Sequence, residues 1–436
     1  MNYLPAAVLF LTLLSASAAE IKSTVNEALT SDLGYLRDLY THLHAHPELS
    51  HLEEKTAARV ASELRTAGYE VTEKVGGHGV VAVLKNGDGP TVLVRTDLDA
   101  LPVKEQTGLP YSSSQTQKDI TGEVVPVMHA CGHDMHITSV LGAARLLAKQ
   151  TNLFRGTIVV IGQPAEERGA GARAMLKDGL FTRFPKPDYC IALHVDSDLI
   201  AGKIAYVPGF ILANVDMVDI TIRGVGGHGA YPHTAKDPIV LAAQTILALQ
   251  TLVSREKPAG DPGVLTVGAI HGGTKHNIIP DEVKLQLTLR SYSDSVRTNM
   301  LAGLVRVTRG IALAAGIPED RMPIVHIKQE EYTPATYNNP ELTQRWVSTL
   351  ESWLGKENLV RDEPQMGGED FGMYGRTEDK IPICMIWLGS VPAEKMRPGQ
   401  TPPPIHSPFY YPDPEPTIKT GVTTLVAGVL DLLKKE

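Results

Sequence analysis

The 436-residue chain is expected to fold as an α/β domain interrupted by a smaller α+β domain, on three observations. Five short runs are nearly continuous in apolar residues: Val80–Leu84, Thr91–Arg95, Thr157–Ile161, Tyr189–Val195 and Ile383–Leu388. Such runs suit sheet strands buried on both faces. Stretches of helical period separate them. In the middle of the chain one run alternates instead (Val283, Leu285, Leu287, Leu289), which predicts a sheet covered on one face only.

The elements follow in order. Ala6–Leu14 is an apolar run, too short to cross a bilayer as a helix, and Ala16-Ser17-Ala18 behind it fits the small-x-small cleavage pattern of exported proteins. No Lys or Arg precedes the run, yet a buried N-terminal helix would alternate with polar residues, and this run does not. Residues 1–18 are therefore expected to be a signal peptide, with the mature protein starting near Ala19 in the periplasm or secreted medium. From Leu33 the period is helical through Leu64, broken at His46-Pro47 and stopped by Gly68. Ile137–Ala148 reads as a helix. Val215–Arg223, Pro238–Ser254, Val264–Ile270, Val283–Arg290, Ser295–Ala315 and Ile324–Ile327 read as β-α-β-β-α-β, the ferredoxin-like split βαβ order. Residues 212–324 are thus expected as an insertion between two parts of the larger domain, 19–211 and 325–436. The proline-rich stretch Val391–Pro416 carries no period and suits a functional loop, and an amphipathic helix runs from about Thr417 to Lys434.

Composition excludes several classes. Lys plus Arg number 41 against 49 Asp plus Glu, a net charge of −8, so there is no basic footprint for nucleic acid. No other stretch is long and apolar enough for a membrane span. Three cysteines cannot form a disulfide scaffold. Gly224-Val225-Gly226-Gly227-His228-Gly229 fits G-x-G-x-x-G, but no helix opens directly behind it and no acidic residue follows at ribose distance. Walker A, H-E-x-x-H and G-x-S-x-G patterns are all missing.

Chemistry is expected at the carboxyl ends of the buried strands, where open α/β sheets place their sites. Asp97 and Asp99 follow the 91–95 run, Glu166 and Glu167 follow the 157–161 run, and His194 lies in the 189–195 run. His129, Cys131, His133 and His136 precede a helix. Singly, each has an ordinary explanation: a solvated Asp-x-Asp turn, a surface Glu pair, a satisfied core histidine. Together they collect metal-ligand types at one sheet edge, which predicts a metal site. Adjacent Glu166 and Glu167 can point apart, one to metal and one to a bound water.

The stretches LHAHPELS (43–50), RTDLDALP (95–102), MHACGHDMH (128–136), GQPAEE (162–167), ALHV (192–195), GGHGAYPH (226–233), HNIIPD (276–281), MGGEDF (366–371) and IHSPFY (405–410) together resemble the M20 metallopeptidase family. The resemblance is to its amidohydrolase branch, with hippurate hydrolases and auxin–amino acid conjugate hydrolases, and it spans nearly the whole mature chain. It implies a zinc-peptidase-like catalytic domain carrying a lid that often mediates dimerisation, hence a homodimer. It implies two divalent metal ions held by Cys131, His133, Glu167, His194 and His406, Glu166 as general base, and Asp99 as the active-site aspartate. His228 would help polarise the scissile carbonyl, in some members from the partner subunit. Asn277 and Arg290 would hold a substrate carboxylate, although Leu287-Thr288-Leu289-Arg290 stands where the family usually has Gly-Thr-x-Arg. Asp97 takes the place of a histidine ligand used by other branches, and Glu369 and Asp370 match a motif without an assigned role. A coordinating thiolate favours Zn²⁺, with Mn²⁺, Ni²⁺ and Co²⁺ open. The implied reaction is hydrolysis of N-acyl amino acids. A dipeptidase or metallocarboxypeptidase is the rival, and a non-catalytic peptide-binding protein the distant one.

Overall fold

The computed structural model describes residues 18–396, 399 and 401–434. The expected signal peptide, residues 1–18, falls outside the described residues apart from Ala18, the first residue of helix α1 (Ala18–Ala45). This helix begins well before Leu33, where the sequence pattern starts. Its early turns bury only Val25 and Leu29, an apolar stripe too sparse to register as a period. It ends one residue before His46-Pro47, and α2 (Glu54–Thr66) ends just before Gly68, whose φ is +95°.

The large sheet holds eight strands. In chain order these are β1 (Glu70–Glu73), β2 (Val80–Asn86), β3 (Thr91–Asp97), β4 (Gly156–Gln163), β5 (Tyr189–Ile200), β6 (Ile204–Tyr206), then β7 (Leu359–Arg361) and β8 (Ile383–Val391). Spatially they run β1-β2-β4-β3-β5-β8-β6-β7, and the central four, β4-β3-β5-β8, are mutually parallel. Alternate residues of these strands enter two separate cores, as the continuous apolar runs predict. Val92, Val94, Ile158, Ile191 and Ile386 pack beneath α1, α3 (His133–Lys149) and the C-terminal helix Pro414–Leu432, while Leu93, Val159, Ala192, Met385 and Trp387 face the opposite layer. Cys190 and Cys384 lie on opposite faces of adjacent strands, so they cannot pair, and all three cysteines are free.

The inserted unit is a four-stranded antiparallel sheet of Asn214–Arg223, Gly263–Gly272, Glu282–Ser291 and Ile324–Ile327. Its order places the second strand beside the third, the third beside the first and the first beside the fourth, the ferredoxin-like arrangement. Helices Pro238–Ser254 and Asp294–Ala314 cover one face, burying Val283, Leu285, Leu287 and Leu289. The fourth strand extends past residue 324, so the sheet of the insertion closes at Ile327 rather than at the boundary read from sequence.

The packing between α3 and the C-terminal helix leaves no room at Gly421, where a Cβ would lie 2.4 Å from Ser139 Oγ and 3.0 Å from Leu388 Cδ2. Gly421→Val should therefore cost about 1–3 kcal/mol through overpacking. The check is a lower urea midpoint at unchanged slope.

Candidate metal centre

The parallel strands end together, and their ends supply the acids. β3 finishes in Arg95-Thr96-Asp97 and runs on to Asp99, while β4 finishes at Gln163 and turns at Ala165 into Glu166 and Glu167. β5 carries His194 at the level of Trp387 on β8. Cys131 lies just ahead of α3, whose N-cap Gly132 takes the left-handed φ of +75° that an L side chain resists, and His133 and His136 sit in the first turn. His406, within the proline-rich loop, is also left-handed (φ +68°) and is tied by its N–H to the carbonyl of Ala130 at 2.7 Å.

All five ligands expected from sequence converge. Cys131, His133 and His194 form one set of neighbouring donor atoms, Cys131, Glu167 and His406 a second, and Cys131 is common to both. Cys131 Sγ lies 3.5 Å from His194 Nε2 and 3.3 Å from His406 Nε2, and Glu167 Oε1 lies 3.6 Å from His406 Nε2 and 3.8 Å from His133 Nε2. Donors at 2.0–2.3 Å from one tetrahedral ion stand roughly 3.3–3.8 Å apart, so the spacing fits. The imidazoles are also oriented for it. His133 Nδ1 donates to the carbonyl of Asp99 at 2.8 Å and His194 Nδ1 to that of Val195 at 2.8 Å, which leaves each Nε2 lone pair facing the cage. His133 Nε2, Glu167 Oε1 and Asp99 Oδ1 are buried with no hydrogen-bond partner among the described residues. Buried polar atoms are rarely left this way unless an ion or water completes them.

Electrostatics points the same way. Arg95, 1% exposed, is the cation of the site: its guanidinium reaches Asp97 Oδ2 at 2.6 Å, Glu369 Oε1 at 2.7 Å and Asp370 Oδ1 at 3.3 Å, with Nε on Gln163 Oε1 at 3.1 Å. This gives Glu369 and Asp370 a structural role that the sequence did not reveal, and it removes Asp97 from the ligands. Asp97 Oδ2 is taken by Arg95 and Oδ1 by His136 Nδ1 at 2.8 Å, whose Nε2 accepts the N–H of Val195. Burial opposes charge on Asp97, but His133, His136 and Arg95 prevail and hold it well below the usual carboxylate range. Burial, then the charges of Glu369, Glu167 and Asp370, push Glu166 well up, and burial raises Glu167 to about 7. His133, though buried, is raised to about 10 by Asp97 and Asp99. A cage that holds a proton this tightly is short of positive charge, and divalent cations supply it.

Behind the cage, His44 Nδ1 meets Asp134 Oδ2 at 2.7 Å and its Nε2 meets Glu105 Oε1 at 3.1 Å, bracing the first turn of α3. Burial works against a charged His44, yet these carboxylates raise it to about 9. A cleft of about 640 Å³ opens in front of the cage, bounded by Glu166, Glu369 and Trp387 on one side and by Val215, Met217 and Arg290 of the lid on the other. Asp99 sits beneath it, its Oδ2 accepting from Ser50 Oγ at 2.6 Å and from the N–H of Glu167 at 3.0 Å. His228 and Asn277 are not brought to this cleft. They share an exposed two-stranded ribbon (Gly227–His228 with Ile278–Ile279) at the far end of the lid, where the N–H of Gly229 donates to the carbonyl of Asn277.

Two outcomes are expected. Metal-free protein titrated with Zn²⁺ near neutral pH should release protons and bind more weakly as pH falls, because His133 must give up its proton and burial raises the Cys131 thiol. Cys131→Ala should cut both the bound metal, by elemental analysis, and the proton release. For His44 the folded value lies above the ordinary 6.5, so its contribution to stability is complete below about 6.5 and is lost as pH rises through about 9. Urea unfolding across that window should show stability declining, and His44→Gln should flatten the decline.

Residues 93–430 match peptidase family M20/M25/M40. The hippurate hydrolase of Campylobacter jejuni is 37% identical over 334 residues, 76% of this chain and 82% of that protein. Thermostable carboxypeptidase 1 of Saccharolobus solfataricus is 36% identical over 372 residues, 84% and 89%. The crystal structure of Bacillus subtilis YXEP, described as a dinuclear metal binding peptidase, superposes with a TM-score of 0.72 at 29% identity, covering 92% of this chain and 99% of that one. Fold, donor set and sequence therefore agree: the chain belongs to peptidase family M20.

Proposed function

We propose that this protein hydrolyses the amide bond between an acyl group and an amino acid, with two divalent cations held by Cys131, His133, Glu167, His194 and His406 and with Glu166 as general base. The observation that carries this reading is the placement of Glu166. It is buried beside the cage yet lines the cleft, 3.8 Å from His133 Nε2 and next in sequence to the ligand Glu167. Bound cations would acidify a water, polarise the scissile carbonyl and draw the Glu166 carboxyl back to its charged form. Glu166 would take the proton of that water and return it to the leaving amine. Zn²⁺ best suits one thiolate and three imidazoles, with Mn²⁺, Ni²⁺ and Co²⁺ as alternatives.

Arg290 supports an amino-acid leaving group. It stands on the cleft wall with Nε on Thr288 Oγ1 at 3.1 Å and Nη1 on the carbonyl of Met366 at 3.4 Å, with no carboxylate among the described residues paired to it. Burial lowers it, so a substrate carboxylate would find a poorly solvated guanidinium fork. Apolar Leu212, Val215, Met217, Trp387 and Ile405 are left for the acyl group. The likeness to hippurate hydrolase favours N-acyl amino acids, and the likeness to carboxypeptidases keeps short peptides as the second reading.

The proposal includes a homodimer through the lid. Helix Pro238–Ser254 carries no charged residue, and its outer face exposes Val240 and Leu247, the latter 73% exposed. An uncharged apolar stripe of this kind is suited to burial against a second copy. Arg290 and the His228–Asn277 ribbon flank opposite ends of strand Glu282–Ser291, roughly 27 Å apart at about 3.4 Å per residue. One lid therefore serves its own cleft through Arg290 and would offer His228 and Asn277 to the partner subunit. The apolar run and small-residue site at the N-terminus support a location outside the cytoplasm, periplasmic or secreted, as part of this proposal.

Metal-reconstituted enzyme assayed on N-acetyl, N-benzoyl and dipeptide substrates separates the two substrate readings. Glu166→Gln should lower kcat about 10²–10⁴-fold with metal content intact, and near-normal turnover would overturn the assignment. Arg290→Ala should raise KM about 10–100-fold for substrates with a free carboxylate and leave their carboxamide analogues unaffected.

A further inference from the structure

The divergence of Glu166 and Glu167 depends on a backbone bend that their own segment does not favour. Ala165, directly before them, is fully buried and left-handed (φ 50°, ψ 42°), a conformation natural to glycine and costly for a residue with a Cβ. The bend gives the two acids different neighbours: Glu167 joins Cys131 and His406 while Glu166 joins Glu369 and Asp370, and each keeps one oxygen 3.8 Å from His133 Nε2. The carbonyl of Ala165 is held locally, by the N–H groups of Ala170 and Gly171, but its N–H is held by a segment distant in sequence. The N–H of Ala165 donates to Oε1 of Glu53 at 2.7 Å, and the same oxygen accepts the N–H of His51 at 2.8 Å. Glu53 is 0% exposed, 112 residues away in sequence, and its second oxygen has no hydrogen-bond partner among the described residues. The other flank of the bend is held from the same segment, because Ser50 anchors the Asp99 oxygen that receives the N–H of Glu167.

We propose that Glu53 is a positioning residue for hydrolysis: it fixes the left-handed turn at Ala165 and so sets Glu166 against the metal cage. The proposal rests on the reading of Glu166 as general base. What the turn requires is an acceptor oxygen at that point, not a charge. Burial and the charge of Asp99 raise the Glu53 carboxyl to about 7, which is compatible with an uncharged acceptor.

The test uses full-length, metal-reconstituted protein, with kcat, KM and metal per chain measured for each variant. Glu53→Gln keeps the acceptor and should lose at most about 3-fold in kcat. Glu53→Leu removes it and should lose about 10–100-fold in kcat with KM and metal content unchanged. Adding Ala165→Gly to Glu53→Leu should recover at least about 5-fold, because glycine adopts the turn without a tether. If Glu53→Leu does not fold, Glu53→Asp, which withdraws the oxygen by one methylene, replaces it with the same expected loss and recovery. Wild-type turnover in the Leu or Asp variant, an equal loss in Glu53→Gln, absence of recovery by Ala165→Gly, or a loss explained wholly by lost metal would each overturn the proposal. Glu166→Gln is run alongside. Full activity there overturns the general-base reading, whereas inactivity there with wild-type turnover in Glu53→Leu overturns the positioning role alone.

Discussion

The structure of the site depends on a buried surplus of negative charge. Asp97, Asp99, Glu166, Glu167, Glu369 and Asp370 gather at one end of the central strands. An isolated buried carboxylate is expensive, so each must be paired, protonated or bound to a cation. Arg95 divides the set. Its five-donor fork bonds Asp97, Glu369 and Asp370, with Nε on Gln163, and none of the other three acids. Asp99, Glu166 and Glu167 have no hydrogen bond from it and are met instead by backbone N–H groups, Ser50, Cys131 and imidazoles. The guanidinium thus gives three of the acids a structural partner and leaves the other three in need of metal.

That division explains what the sequence could and could not show. Strands buried on both faces write their positions as unbroken apolar runs, so the central sheet was legible, and so were the polar residues that interrupt those runs at their ends. Arg95 had a signal of its own, a charge inside the run Thr91–Asp97, where only a paired cation is tolerated. Its partners did not, since Glu369 and Asp370 lie more than 270 residues away and nothing in local spacing encodes a contact at that range. His136 was hidden in the same way. It shares a motif with two ligands, and only the N–H of Val195 on its Nε2 reveals that it orients Asp97 and has no lone pair free for an ion. The start of α1 was missed for a different reason: most of its first turns face solvent, and propensity without burial leaves no periodic trace.

The lid shows where a motif-by-motif reading stops being geometric. The resemblance assigns Asn277 and Arg290 to a substrate carboxylate and His228 to the scissile carbonyl, and all three lie in the inserted domain. The antiparallel strand Glu282–Ser291 separates them: Arg290 near its end meets the carbonyl of Met366, while the ribbon bearing His228 and Asn277 adjoins its start. A rigid strand of ten residues cannot bend to bring both ends to one point. Residues in one domain are therefore not automatically residues of one site. For this chain Arg290, Glu166 and the donor cage share the cleft of a single protomer, and the ribbon lies outside it.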